Sequence, residues 1–220
     1  MGAVTFGIPK TLVLNLQKIF SIGYFIETGT FKGGTTSWAA NNFKKVITIE
    51  NSKELFELAK VNLSSYPNIE CIYGNSGEKI TEILKSLDKP AIFWLDAHWC
   101  GGLTFGSDYE CPLIDEINHV VEHNLQHIII IDDARYFVKP PKNTHSTEQW
   151  PGLNEIIPAL MKKPGYYNFV CEDVIVSLPM SAKALLQPYF NKIHENEFPG
   201  AGILSNLRFA FRNIIRKWKK

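Results

Sequence analysis

Apolar residues recur along this chain in two alternating spacings, and the alternation predicts elements before any single motif is considered. Residues 10–20 place Leu12, Leu16, Ile19 and Phe20 on one helical face. Residues 24–27 (YFIE) form a short apolar strand that runs into a turn with Gly29, Gly33 and Gly34, then restarts as a helix through Ala40. Residues 45–50 (KVITIE) are rich in β-branched side chains and predict a second buried strand ending in an acid. Asn51 with Glu54 has the spacing of a capping box for a helix over 52–65.

The same rhythm continues. Residues 69–73 make a third strand closed by Gly74, Asn75, Ser76 and Gly77, and Ile80, Ile83, Leu84 and Leu87 mark the next amphipathic helix. Residues 91–95 (AIFWL) end at Asp96, and a glycine-containing loop over 100–109 follows. Pro112 then suits the first helical position ahead of Leu113, Ile117, Val120 and Val121. Residues 127–131 (HIIII), the most continuously apolar run, belong in mid-sheet and stop at Asp132 and Asp133.

The polar connection over 134–152 exceeds ordinary connection lengths and predicts a lid or substrate loop. A helix starts near Leu153, and Pro158 should kink or divide it. Strands over 167–171 and 174–178, separated only by Glu172 and Asp173, form a closing antiparallel hairpin.

Five strand–helix units predict an α/β fold: a Rossmann-like, doubly wound, mostly parallel sheet with a C-terminal antiparallel hairpin and helices on both faces. Such sheets place ligands outside the carboxyl ends of their strands, so the chemistry should lie along one edge. A length of 220 residues with 45% hydrophobic content fits one domain over 1–206, followed by a basic amphipathic helix over 207–220.

Charge refines this picture. The formal net charge is +1, but the last fourteen residues carry six Lys or Arg and no acid, leaving 17 basic against 22 acidic residues over 1–206. Nucleic acid would meet a mildly acidic body, which argues against it as a partner. No apolar run is long enough to cross a bilayer and no signal-peptide pattern opens the chain, so a cytoplasmic location is expected. Cys71, Cys100, Cys111 and Cys171 show no paired zinc spacing and are expected as free thiols; Cys100 and Cys111 are close enough in sequence to be bridged in an oxidising setting.

The strand ends collect the candidate chemistry: Glu27, Thr28, Gly29 and Thr30 after the first strand, Glu50 and Asn51 after the second, Asn75 and Ser76 after the third, Asp96 and His98 after the fourth, and Asp132 and Asp133 after the fifth. A glycine turn between strand and helix lets backbone approach a ligand and offers unpaired N–H groups, with Gly33 and Gly34 opening the helix. Glu50, 21 residues past Gly29, stands at the spacing from which an acid binds ribose hydroxyls.

In this order the residues resemble the class I S-adenosylmethionine-dependent methyltransferases over about residues 22–137. IETGTFKGG is similar to the cofactor loop of that class, ITIEN to its ribose-binding strand end, and IYGNSGEKI to the segment beside the adenine. LDAHW followed by IIIIDDAR resembles the metal-dependent O-methyltransferases of catechol and macrolide-sugar type. That resemblance implies S-adenosyl-L-methionine as cofactor, a divalent cation, Mg²⁺ first, on Asp96, Asp132 and Asp133, and a small hydroxylated acceptor such as a sugar or an aromatic diol.

The residues themselves point at the same trio. If the fourth and fifth strands are neighbours, Asp96 and Asp132 leave the sheet about 5 Å apart; Asp133 joins them only if the chain turns there. An all-oxygen set suits Mg²⁺, Mn²⁺ or Ca²⁺. The opposing reading pairs Asp133 with Arg135 and gives Asp132 a hydrogen bond to the cofactor loop. The catechol-type lysine base has no counterpart, because Trp99 stands in its place, which leaves His98 and then His145 as the candidate bases, with Asp96 beside them.

Smaller expectations complete the reading. Trp94 belongs to the core, Trp99 flanks a ligand, Asp108 and Glu110 are loop acids that face solvent or substrate, and Lys32 shields the cofactor carboxylate or faces water. Leu207, Phe211, Ile214, Ile215 and Trp218 share one face of the terminal helix, opposite Arg208, Arg212, Arg216 and Lys219. The stripe fits docking on the chain's own domain, a homodimer contact, or peripheral contact with anionic lipid. Two further function classes stay open: a nicotinamide-dependent oxidoreductase, although the spaced G-x-G-x-x-G is missing, and a non-catalytic binding module.

Overall fold

The architecture comes from a computed structural model that describes residues 6–98, 109–139 and 145–197. Seven strands form one sheet in the order β3-β2-β1-β4-β5-β7-β6. They are β1 (Tyr24–Thr28), β2 (Lys45–Glu50), β3 (Ile69–Tyr73), β4 (Ala91–Leu95), β5 (Ile128–Ile131), β6 (Tyr166–Cys171) and β7 (Val174–Pro179). The first five are mutually parallel, while β7 runs antiparallel to both β5 and β6. The strand order reverses between β1 and β4, which puts a crevice at the carboxyl ends of those two strands.

Helices cover both faces, and alternation along the strands assigns them. The helices before and after β1 and β2 are α1 (Lys10–Phe20), α2 (Gly34–Ala40) and α3 (Lys53–Asn62); α4 (Ser76–Ser86), α5 (Leu113–Glu122), α6 (Ala134–Val138) and α7 (Leu153–Met161) follow. Phe25 turns to one side, where its ring meets Trp38 of α2 edge-on at 6.2 Å. Its neighbour Ile26 turns to the other, into a buried cluster with Ile80 and Ile83 of α4, Ile117 and Val120 of α5 and Ile156 of α7. Period-two alternation in a sheet buried on both faces requires this division. Trp94 is 1% exposed within β4, as a core residue should be.

Local chemistry moved several boundaries. The cap of α3 is Ser52, whose Oγ accepts from Leu55 N at 3.4 Å, one residue later than the Asn51 box predicts. Pro112 is the cap of α5, not its first residue. Pro158 sits inside α7 without dividing it. The described residues of the 134–152 connection contain α6 and a 3-10 turn (Thr147–Gln149), both too short for periodicity to reveal. In the β6–β7 turn Glu172 and Asp173 both take left-handed φ, 46° and 65°, as a two-residue hairpin demands. Cys71, Cys111 and Cys171 are free thiols.

The chain divides into two compact units, and everything above lies in the larger, Thr5–Met180. The smaller contains α8 (Gln187–Glu197), where Tyr189 and Phe190 meet ring to edge at 5.7 Å. The predicted helix over 207–220, together with Trp99, Cys100, Asp108 and Pro140, falls outside the described residues. Among the described residues no helix is long and apolar enough to cross a membrane.

Candidate active site

A cavity of about 210 Å³ opens at the carboxyl ends of β1 to β4. Of the residues expected from the strand ends, Gly29, Glu50, Asn51, Asn75, Ser76, Asp96 and His98 line it. Phe31, Ile49, Gly74, Ala97, Tyr109 and Pro112 line it as well, and none of these was expected there from the sequence pattern.

The floor is built by backbone contact. Gly29 has φ +83°, and its N–H and that of Thr30 both point to the Ile49 carbonyl, at 3.0 and 3.2 Å. Phe31 N donates to Glu50 Oε2 at 2.9 Å and Gly33 N to the Thr30 carbonyl at 2.9 Å. The turn therefore uses three of these donors to fasten itself to β2 and the fourth to close itself, so they are not among the N–H groups it could offer a ligand. What glycine supplies is clearance, since a Cβ at position 29 would collide with the Asp96 carbonyl.

Glu27, Thr28, Thr30, Gly33 and Gly34 do not line the cavity; they hold its floor from behind. Glu27 is 2% exposed and accepts from the Thr36 hydroxyl and, at 2.8 Å, from Thr48 Oγ1, which also lies 2.6 Å from Thr30 Oγ1. Burial pushes its carboxyl up to about 7, against the two hydroxyl bonds, with the Glu50 charge adding to the rise. Thr28 takes the Asp96 amide on both its carbonyl and its Oγ1, at 3.1 and 3.2 Å. Gly33 has φ +81° ahead of α2, and Gly34 begins that helix.

Glu50 is held by two backbone donors, Phe31 N on Oε2 and Ser52 N on Oε1 at 2.8 Å. A carboxylate oriented this way has lone pairs left for a diol and does not have to reorganise to use them. Asn75 caps α4 through its Oδ1, which accepts from Gly77 N at 2.8 Å, and so faces the cavity from a fixed position.

Asp96 and Asp132 emerge where β4 and β5 end, Asp96 lining the cavity and Asp132 and Asp133 standing behind that lining, and Asp132 N donates to the Leu95 carbonyl at 3.1 Å. Asp133 takes a left-handed φ of 56°, so the chain does turn there. Its Oδ2 lies 2.8 Å from His98 Nε2 and its Oδ1 2.6 Å from the Arg135 guanidinium, while its own N–H donates to Asp132 Oδ1 at 2.7 Å. His98 Nδ1 lies 3.7 Å from Asp96 Oδ1. Burial raises the Asp96 carboxyl well above its ordinary value, opposed by His98 and reinforced by Asp132 and Asp133. Burial and the Asp133 charge push Asp132 up to about 6. For Asp133 burial acts upward too, but His98 and Arg135 outweigh it and hold the group below the usual range.

The three acids thus stand together, yet not as a ligand set. Both Asp133 oxygens are taken by His98 and Arg135, and Asp132 Oδ1 by an amide; the pairing with Arg135 is the opposing reading of that residue. Among the described residues no group of three His, Cys, Asp or Glu is arranged to hold a metal ion. The side chains as placed do not fit the cation implied by the resemblance.

His145 lies apart from the cavity lining. Its Nδ1 is 3.3 Å from Glu110 Oε2, which also accepts from the Trp150 indole at 2.7 Å, while Glu110 Oε1 takes Ser146 N at 2.9 Å. Glu110 is therefore a buried anchor for residues 145–150, not the exposed loop acid its sequence position implied. The anchored Trp150 packs 5.2 Å from the His98 ring and 5.7 Å from Tyr136, walling the site on that side. Lys32 lies over the Phe31 ring at 5.3 Å and does not line the cavity.

Glu116 escaped the sequence reading. It is 1% exposed on α5, close to Thr28, Ser76 and His98, and burial pushes its carboxyl up to about 7 against the hydroxyl bonds. The signal was present: position 116 lies three after Leu113 and four before Val120, on the apolar face of its helix.

Comparison with known proteins identifies the fold. No protein-family profile matches the chain. A segment of 66 residues is 35% identical to ribosomal RNA small subunit methyltransferase A of Caldanaerobacter subterraneus subsp. tengcongensis, covering 29% of this chain and 25% of that protein's length. An O-methyltransferase of Bacillus cereus in complex with S-adenosylhomocysteine superposes with a TM-score of 0.55 at 16% identity, over 80% of this chain and 82% of that one. A methyltransferase of Podospora anserina with S-adenosylhomocysteine bound gives 0.53 at 14% identity, over 77% and 76%. The sheet order and these likenesses give the chain the class I methyltransferase fold.

Proposed function

We propose that this chain transfers the methyl group of S-adenosyl-L-methionine to a hydroxyl oxygen of a small acceptor. The observation that carries the reading is the placement of Glu50: an acid at the end of β2, fixed by Phe31 N and Ser52 N, in one cavity with Gly29, Asn75, Ser76 and Asp96. Glu50 would accept from the ribose hydroxyls, Asn75 and Ser76 would flank the base, and Gly29 would let the cofactor approach the sheet edge.

The bound cofactor supplies a methyl group already activated on a sulfonium, so the chain's own work is orientation and proton removal. His98 is the group we assign to the proton. When its Nε2–H is donated to Asp133, the lone pair lies on Nδ1, on the Asp96 side of the cavity. Asp133 fixes that tautomer and stabilises the imidazolium that forms, and Trp150 keeps the ring from turning. The acidic rim also complements the positive charge of the sulfonium.

An RNA acceptor is the second reading, favoured by the partial likeness to an rRNA methyltransferase. The excess of acids over 1–206 opposes it. Incubation with methyl-labelled cofactor, a hydroxylated metabolite fraction and total rRNA tests both. Label in a small hydroxylated product, lost in Glu50→Ala, supports the first reading; label in RNA supports the second; label in neither, with cofactor bound, leaves a binding module.

A further inference from the structure

The turn between β6 and β7 reaches the rim of the site, although nothing in the methyl-transfer reading uses it. Asp173, whose side chain is 4% exposed, accepts Arg135 N on Oδ1 at 3.0 Å, and its carbonyl accepts Ala134 N at 2.8 Å. These bonds clamp the hairpin tip onto the start of α6. Across the clamp the Arg135 guanidinium bridges Asp173 and Asp133, and it is held from the side by the Tyr136 ring at 4.5 Å and the Phe6 ring at 4.8 Å.

We propose that Arg135 is the built-in cation of this acid cluster: by pairing with Asp133 it supplies, from the protein's own side chains, the counter-charge that a divalent ion beside Asp133 would otherwise bring.

The geometry supports this at Asp133 and Asp132. Asp133 meets Arg135 with one oxygen and His98 with the other, so an ion reaching its remaining lone pairs would compete with two charge-assisted bonds and stand against the guanidinium. Asp132 already gives one oxygen to the amide of Asp133. A hard cation takes its shell from oxygens, several of them from protein, and although the acids stand together, no group of three His, Cys, Asp or Glu among the described residues is arranged to hold one. A divalent ion would also stand beside a guanidinium whose charge is permanent and which is stacked in place, so like-charge repulsion is added to the missing ligands. Asp173, buried and paired, is what keeps the guanidinium there. It is a positioning residue that acts on the rim through Arg135.

The charge pairing stands without a cofactor, and only its meaning for catalysis rests on the methyl-transfer reading. The test is therefore made on cation binding. Mn²⁺ is titrated into the full chain without cofactor, followed by electron paramagnetic resonance of the free ion, with Mg²⁺ calorimetry alongside. The wild type should show no binding into the millimolar range. Arg135→Gln, which leaves Asp133 and Asp173 without their counter-charge, should bind Mn²⁺ roughly ten-fold tighter or more, whereas Arg135→Lys should behave as the wild type. Sub-millimolar binding by the wild type that Asp133→Asn abolishes would overturn the proposal, as would a folded Arg135→Gln that gains nothing. Should Arg135→Gln fail to fold, the wild-type titration alone decides. S-adenosylhomocysteine binding, measured in parallel, reports on the cofactor reading separately.

Discussion

A Cβ on Gly29 would lie 2.2 Å from the carbonyl oxygen of Asp96. The end of β1 and the end of β4 thus meet backbone to backbone at the strand-order reversal, and the cavity floor exists because residue 29 has no side chain. Gly29→Ala would add a left-handed strain and an overpacking term, together about 2–4 kcal/mol. Urea denaturation should show that loss, and calorimetry should show cofactor-product binding weakened or absent at temperatures where the variant remains folded. A variant as stable as the wild type would contradict the close approach.

Glu50 is fixed by two amides, so its truncation should be felt in binding more than in folding. Glu50→Ala should weaken S-adenosylhomocysteine binding about 10- to 100-fold, the worth of hydrogen bonds to a charged acceptor. Glu50→Gln, which keeps an acceptor oxygen, should fall between. An unchanged dissociation constant in both would remove Glu50 from the ribose role.

Buried acids give the fold a pH signature. Glu27 and Glu116 have folded pKa values of about 7 against an ordinary 4.5, so the stability they contribute is full below about pH 4.5 and is lost as pH rises through 7. His127 acts oppositely. Burial first, then the His123 and Lys163 charges, hold it down to about 3, so its stability is present above about 6.5 and is lost as pH falls. Because these windows overlap, single variants are needed. Glu116→Gln should gain on the wild type by roughly 1–3 kcal/mol between about pH 4 and pH 8. Whatever constant offset the amide introduces, a difference that does not change with pH would refute the assignment.

The Glu110 anchor predicts a different kind of loss. Glu110→Ala would leave the Trp150 indole and the Ser146 amide without their acceptor. Chemical denaturation should show a destabilisation of about 2–4 kcal/mol. Tryptophan fluorescence should report the change at Trp150, with Glu110→Gln milder because it keeps an acceptor. Wild-type stability in Glu110→Ala would mean the 145–150 segment is held by other contacts.

Most of the sheet was legible because β-branched runs such as KVITIE and IIII are buried on both faces and leave an unambiguous apolar signal. The cavity lining was legible where chemistry stops a strand, as at Glu50 and Asp96. It was illegible where lining comes from loop geometry. Phe31 faces the cavity only because its φ is positive, and Tyr109 and Pro112 only because the chain returns there ahead of α5. Glu27 shows the limit of position alone: it sits where a cofactor-binding acid was expected, but two threonine hydroxyls turn it inward. The Asp133–Arg135 pair was open to the sequence, but its extension from Arg135 to Asp173, 38 residues further on, has no local pattern to announce it.

The central claim is that the strand-end cavity is an adenosyl site organised by Glu50, and isothermal calorimetry with S-adenosylhomocysteine tests it most directly, with NAD as the competing ligand and Glu50→Ala as the control. The account predicts saturable micromolar binding of S-adenosylhomocysteine, no heat with NAD, and a clear loss in Glu50→Ala. Silence toward S-adenosylhomocysteine, or NAD binding in its place, would contradict it.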